Sequence, residues 1–179
     1  VARGPHLQAL QTQGLTVTQN TEGTWKLPAE AAAHELDVDN QTIVLLAMKT
    51  DDTFGAIEQH SSLYRDLPLI SFQNGVTNEE WLSQKGFTTY GCTVMVGAEI
   101  TEPGSVRHSG GKLLEVGKWP SGNDLTSDAL VADLNESGMD ASVDERVIDG
   151  KWGKLVRNLA NAYLALTDLS VQEASCDPL

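Results

Sequence analysis

The chain has 179 residues, 40% hydrophobic and 21% charged, which is ordinary globular usage and argues against disorder along its length. A net charge of −13 with no basic stripe argues against nucleic acid as a partner, because binding a phosphate backbone needs clustered cations. Cys92 and Cys176 match no metal spacing or disulfide framework, no apolar run reaches the ~18 residues of a membrane span, and no signal peptide opens the chain, so a cytoplasmic protein with reduced thiols and no membrane attachment is expected.

Residues 5–13 read as a short helix, with Pro5 suited to the first turn and Gly14 closing it. Residues 15–18 alternate apolar and polar, Asn20 to Gly23 supply a turn, and residues 24–27 supply a second strand, which together predict a hairpin. Residues 29–35 have helical composition where a strand would also fit. The run TIVLLAM at 42–48 has the pattern of a parallel strand buried on both faces. A helix over 51–64 with Phe54, Ile57 and Leu63 facing inward, a strand over 67–72, and a helix over 78–85 closed by Gly86 continue the alternation at βαβ spacing. From residue 88 the character shifts. Short strands are predicted over 88–96, 105–109 and 112–116, separated by Pro103-Gly104 and Gly110-Gly111 and antiparallel. A loop over 119–124 leads to an amphipathic helix over 127–137 with Thr126 or Ser127 as N-cap, and a long helix over 147–166 carries Trp152, Leu155, Leu159 and Ala162. The sum is an α/β protein with a parallel sheet, antiparallel additions and a late long helix.

Lys154, Asn158 and Asn161 stand at i, i+4 and i+7 and project from one side of that helix. An ammonium and two carboxamides on one face can hold a carboxylate and a carbonyl oxygen together, although a solvated polar stripe has the same spacing. Lys49 follows the buried strand, and Asn74-Gly75 follows the next one at the same edge. Open parallel sheets bind ligands beyond the carboxyl ends of their strands, so both fall where a cofactor would be met; a strand-end lysine and a turn glycine are the ordinary alternatives. If Val1 and Ala2 end a strand of a dinucleotide fold, Arg3 lies at the ribose-recognition position, where an acid favours NAD and an arginine can hold the 2′-phosphate of NADP. The histidines pair with no nucleophile, the carboxylates are scattered, and no metal site is expected.

Taken in order, ARGPHLQALQTQGL, IVLLAMKT, FQNGVTNEEWL, AEITEPGSVRHSGG and KWGKLVRNLANA resemble the ketopantoate reductase (2-dehydropantoate 2-reductase) family, over nearly the whole chain to Leu166. The resemblance implies reduction of 2-dehydropantoate to pantoate with NADPH on the route to pantothenate and coenzyme A, a small 2-oxoacid as substrate, and a homodimer as an oligomeric option. It also implies a Rossmann-type domain joined to a helical domain like that of 6-phosphogluconate dehydrogenase. Residues 1–144 would then be a partial NADP-binding domain and 145–179 the start of the helical domain. By motif, Lys154 would be the general acid, Asn158 a substrate ligand, Asn74 a group between nicotinamide and substrate, Lys49 a cofactor ligand and Arg3 the 2′-phosphate ligand.

Three departures accompany the resemblance. No glycine-rich turn precedes Val1, and the chain opens without an initiator methionine, so a fragment with weak or no turnover is expected. Most of the helical domain that the resemblance implies is expected to lie outside this chain. Well-known members carry their second helix asparagine eight positions after the lysine, where this chain has Ala162; Asn161 stands one residue earlier and is the candidate replacement. A reductase of another 2-oxoacid, and a non-catalytic remnant serving as a binding or oligomerisation module, stay open.

Overall fold

Successive residues of a strand point to opposite faces of its sheet, and the central strands of this protein are apolar on both. In β4 (Leu69–Ser71), Leu69 packs with Leu46, Ile57, Leu82 and Phe87, whereas Ile70 packs with Tyr90, Cys92, Leu114, Val116, Leu130 and Ala141. Two cores on either side of one sheet are the result. The computed structural model describes residues 2–19, 22–31 and 38–167, with side chains as far as Leu159. The turn residues Asn20 and Thr21, most of the ambiguous stretch 29–35, and Cys176 lie outside the described residues.

The described elements run α1 (Gly4–Gln13), β1 (Leu15–Gln19), β2 (Gly23–Leu27), β3 (Val44–Leu46), α2 (Thr50–Gln59), α3 (Ser61–Tyr64), β4, α4 (Asn78–Gln84), β5 (Thr89–Glu102), β6 (Ser105–Lys118), α5 (Leu125–Glu136), β7 (Asp140–Val143) and α6 (Val147–Thr167). The strands form one sheet in the order β2-β1-β6-β5-β4-β3, with β7 pairing to β6. β3, β4 and β5 are parallel, joined through α2–α3 and α4, and form the Rossmann-type part. β5 and β6 are a long antiparallel hairpin, and the β1–β2 hairpin joins its far end with β1 parallel to β6. The fold class is therefore as expected: a partial Rossmann-type sheet with antiparallel additions, followed by the first long helix of a helical region.

Several local expectations change. β3 is the edge of the described sheet, so Leu45 is exposed and the run 42–48 is not covered on both faces. The helix over 51–64 breaks at His60 into α2 and α3, and Phe54 lies against Trp81 with ring centroids 4.4 Å apart while remaining 39% exposed. Gly110-Gly111 does not separate two strands. β6 runs through it with shifted register against Met95 to Ala98, and a Cβ on Gly111 would stand 2.1 Å from the Met95 carbonyl oxygen. The N-cap of α5 is Asp124, which accepts from the Thr126 and Ser127 amides while Ser127 Oγ accepts from the Asp124 amide. β7 has no counterpart in the sequence reading, because DASV alternates too briefly to read as a strand.

The start of α6 is seated by two glycines. Gly91 of β5 and Gly117 of β6 are register partners, and the fully buried Val147 packs over the gap that their missing side chains leave. α6 thus begins directly on the sheet. It turns Lys151 inward and leaves Trp152, Val156 and Leu159 exposed.

Candidate functional site

The residues singled out from the sequence converge in part. Asn74-Gly75 follows β4, and the positive φ of Gly75, 87°, bends the chain away at the strand end. Lys154, one turn into the exposed course of α6, donates from Nζ to Asn74 Oδ1 at 2.7 Å and to the Val94 carbonyl of β5. Asn158 lines the same cleft, together with Gln73, Cys92, Thr93, Lys151 and Leu155. The backbone of Asn161 continues α6, but its side chain lies outside the described residues.

Lys49 and Arg3 sit elsewhere, around the first turn of α2. Lys49 is the exposed N-cap of that helix, and Arg3 reaches Asp52 of its first turn at 3.7 Å with both side chains largely exposed. The sheet edge therefore carries two neighbouring groupings: cations at the end of β3, and the Asn74–Lys154–Asn158 cleft at the end of β4.

Gln73, which the sequence reading passed over, joins them. Its buried carboxamide donates to the Met48 carbonyl at 2.7 Å and to Thr53 Oγ1 at 2.6 Å, and Thr53 Oγ1 in turn donates to the Lys49 carbonyl. Its backbone carbonyl accepts from Lys151 Nζ at 2.9 Å. Lys151 is 3% exposed and pairs with the fully buried Glu79 of α4. Thr93 is buried in the cleft wall with a hydroxyl that has no hydrogen-bond partner among the described residues. Lys151 showed only as a lysine three residues before Lys154, with nothing in the sequence to mark it as buried. Glu79 had no signal, being one of several acids on a helical pattern.

Electrostatics follow from burial. Removal from water lowers the proton affinity of Lys154 below the ordinary lysine value, and the nearby positive charges of Lys151 and Arg157 push it the same way. Burial pushes the Cys92 thiol up to about 12, so it carries no charge near neutrality. A half-buried ammonium held by an amide oxygen, with a second amide and a hydroxyl unpartnered among the described residues nearby, lines a small polar cleft and could donate a proton there. Among the described residues no cluster of His, Cys, Asp and Glu is arranged to hold a metal, and no described helix is long and apolar enough to cross a membrane.

Comparison with known proteins agrees with this architecture. The family model for ketopantoate reductase PanE/ApbA matches residues 1–121. The 2-dehydropantoate 2-reductase of Pyrococcus horikoshii is 27% identical over 166 residues, covering 89% of this chain and 52% of that protein. The crystal structure of 2-dehydropantoate 2-reductase from Geobacter metallireducens GS-15 superposes with a TM-score of 0.76 at 24% identity, over 88% of this chain and 53% of that one. The ternary structure of D-mandelate dehydrogenase with NADH and anilino(oxo)acetate superposes with a TM-score of 0.73 at 21% identity, over 86% and 50%. At these identities the superpositions establish the fold, and the chain spans about half the length of the curated relatives it matches. Since the family model covers two thirds of the chain, including both strand ends that carry Lys49 and Asn74, the chain belongs to the ketopantoate reductase PanE/ApbA family.

Proposed function

We propose that the whole protein reduces 2-dehydropantoate to pantoate with NADPH, and that Lys154 is the proton donor. The observation that carries this reading is the 2.7 Å contact of Lys154 Nζ with Asn74 Oδ1 at the carboxyl end of β4, with Asn158 in the same cleft. Residues 1–144 would form the nucleotide-binding part and residues 145–179 the start of the substrate-binding helical part.

The residues present fit a nicotinamide dinucleotide. Asn74 and Gly75 stand at the strand end where such a group is met, and nothing lies within 4 Å of the position a Cβ on Gly75 would occupy. Lys49 and Arg3 offer exposed cations one strand away. A 2′-phosphate would replace the Asp52 carboxylate as the partner of Arg3 and suit its planar fork better. When bound, the reduced nicotinamide supplies a hydride to the keto carbon. Lys154 transfers its proton to the carbonyl oxygen as negative charge develops there, leaving a neutral amine that solvent reprotonates. Asn74 orients the ammonium, Asn158 is a neutral donor and acceptor for the substrate, Asn161 is a second candidate by its place on the helix, and Thr93 has a free hydrogen-bonding valence for a substrate oxygen.

The test is NADPH oxidation by the whole protein with 2-dehydropantoate, comparing wild type with Lys154→Ala. Loss of a positioned general acid costs about 10²–10⁴-fold, so kcat should fall by that much while the circular dichroism spectrum stays native. Undiminished turnover in K154A would refute the assignment. In R3A, the KM for NADPH should rise while that for NADH stays unchanged. A second reading, a reductase of another 2-oxoacid, is favoured by the superposition with D-mandelate dehydrogenase, and a comparison of kcat/KM across keto acids with aliphatic and aromatic side chains decides between them.

A further inference from the structure

The polar network beneath the cleft is more elaborate than packing requires. Lys151 and Glu79 are 3% and 0% exposed, face each other from α6 and α4, and are separated by 72 residues of chain. Buried ion pairs are poor sources of stability, since desolvating both charges offsets most of their attraction, and apolar pairs of similar volume often serve as well or better. This pair lies at a particular place. Lys151 also holds the backbone carbonyl of Gln73, the residue before Asn74, and stands three positions from Lys154 on adjoining turns of one helix. The same ammonium therefore fixes the strand end that presents Asn74 and supplies a second positive charge beside Lys154.

We propose that the Lys151–Glu79 pair is a positioning device for Lys154: it pins α6 to the end of β4 so that Lys154 meets Asn74, and it places a second lysine ammonium next to the proton donor. The inference rests on the reductase reading only in naming Lys154 as the donor; the physical effect on Lys154 exists without substrate. Among the described residues, the charged and titratable groups near Lys154 and the pair come from each packed element. α6 contributes Lys151 and Arg157, β5 contributes Cys92, β6 contributes Glu115 behind Cys92, and α4 contributes Glu79, which faces Lys151. Cys92 is uncharged near neutrality, and Arg157, whose guanidinium lies against Met95 Sδ, is the outer and exposed cation. Lys151 is the inner, buried cation, and Glu79 is its buried partner. Gln73 completes the device, because its side chain ties the same strand end to Met48 and Thr53 beside Lys49.

The test follows each lysine by NMR of its ¹³Cε and ¹⁵Nζ nuclei through a pH titration of this chain without cofactor or substrate, so that failure of turnover elsewhere has no bearing on it. Lys151→Gln keeps a donor for Gln73 and Glu79 and removes the charge; the double variant K151M/E79L replaces the pair with apolar side chains and covers the case in which K151Q does not fold. In K151Q, which keeps those hydrogen bonds, the Lys154 midpoint should move to higher pH while the backbone amide shifts of α6 and of Asn74 stay as in wild type. In K151M/E79L, which also removes the pin, the midpoint should rise and the amide shifts of Asn74 and of the start of α6 should move, with Lys118, paired to Asp124, titrating unchanged in both. An unmoved Lys154 midpoint in a folded variant would overturn the proposal. So would a raised midpoint with displaced α6 shifts in K151Q, since Lys154 would then merely have become solvated, and so would wild-type α6 and Asn74 shifts in K151M/E79L, since the pair would then pin nothing. In the whole protein, the alkaline limb of the kcat profile should move in the same direction. If the titration shifts and no keto acid is reduced, the reductase reading fails and the device stands.

Discussion

Replacing Gly117 with alanine probes how the sheet seats the functional helix. Gly117 has no positive φ, so alanine introduces no backbone strain, and the whole effect comes from one methyl group. That methyl would stand 1.9 Å from the Asp144 carbonyl oxygen and 3.0 Å from Val147 Cβ, against an ordinary C···O contact of about 3.3 Å or more. The β7–α6 connection must therefore retreat by roughly 1.4 Å. Asp144 is poorly placed to yield, because its amide donates to the Val116 carbonyl at 2.8 Å and its carboxylate accepts from the Arg146 amide. Overpacking of this kind costs about 1–3 kcal/mol, and at about 2–4 °C per kcal/mol for a chain of this size the melting temperature of G117A should fall by roughly 2–12 °C. Gly153→Ala is the internal control. Gly153 is an exposed helical glycine with nothing within 4 Å of the new methyl, so alanine should stabilise the chain by about 0.5–1 kcal/mol through helix propensity and unfolded-state entropy. Calorimetry of both variants decides the matter: a G117A chain melting within 1 °C of wild type would show that Val147 and Asp144 do not depend on that gap.

Asp124 caps α5 and accepts from Lys118 Nζ and Tyr90 Oη; burial raises its carboxyl affinity for protons, but these hydrogen bonds outweigh burial and hold it below the usual carboxylate range. Because the folded-state value is the lower one, its contribution is complete above the ordinary carboxylate range and is lost as pH falls through the folded value. Asp124→Ala should cost about 0.5–2 kcal/mol at neutral pH by urea denaturation, and the difference from wild type should shrink toward pH 2. Cys92, with its thiol pushed up to about 12, should resist Ellman's reagent at pH 8 in a C176S chain and react with one equivalent once urea is added. Rapid labelling of the native chain would refute its burial.

The sequence carried the alternation of strands and helices and the placement of Lys49, Asn74, Lys154 and Asn158, because those depend on local period and on the rule that ligands meet parallel strands at their carboxyl ends. It misjudged what depends on neighbours far along the chain. TIVLLAM reads as a doubly covered strand because its composition is uniformly apolar, yet whether Leu45 is covered depends on what lies beside β3. Gly110-Gly111 looks like a turn because paired glycines usually are one, whereas here they relieve a register shift inside a continuous strand. Thr126 and Ser127 were plausible caps, and Asp124 prevailed because Tyr90 and Lys118, which are remote in helical pattern, stabilise its charge at the helix start.

The same reasoning explains why Lys151 was invisible as a functional residue while Lys154 was not. Helical spacing puts both lysines on neighbouring turns, and a surface lysine and a buried one have identical letters. What separates them is a carboxylate on α4 and a carbonyl before Asn74, both fixed by strand order rather than by spacing. Gly91 and Gly117 matter for the same reason: only their pairing across β5 and β6 reveals a seat for Val147, and only that seat fixes which side of α6 faces the sheet. Once the helix is so seated, Lys151 must enter the interior and find a counter-charge, and Lys154, three residues on, must emerge at the strand edge beside Asn74. The location of the proposed proton donor thus follows from two residues with no side chain and one buried acid, none of which touches the reacting atoms.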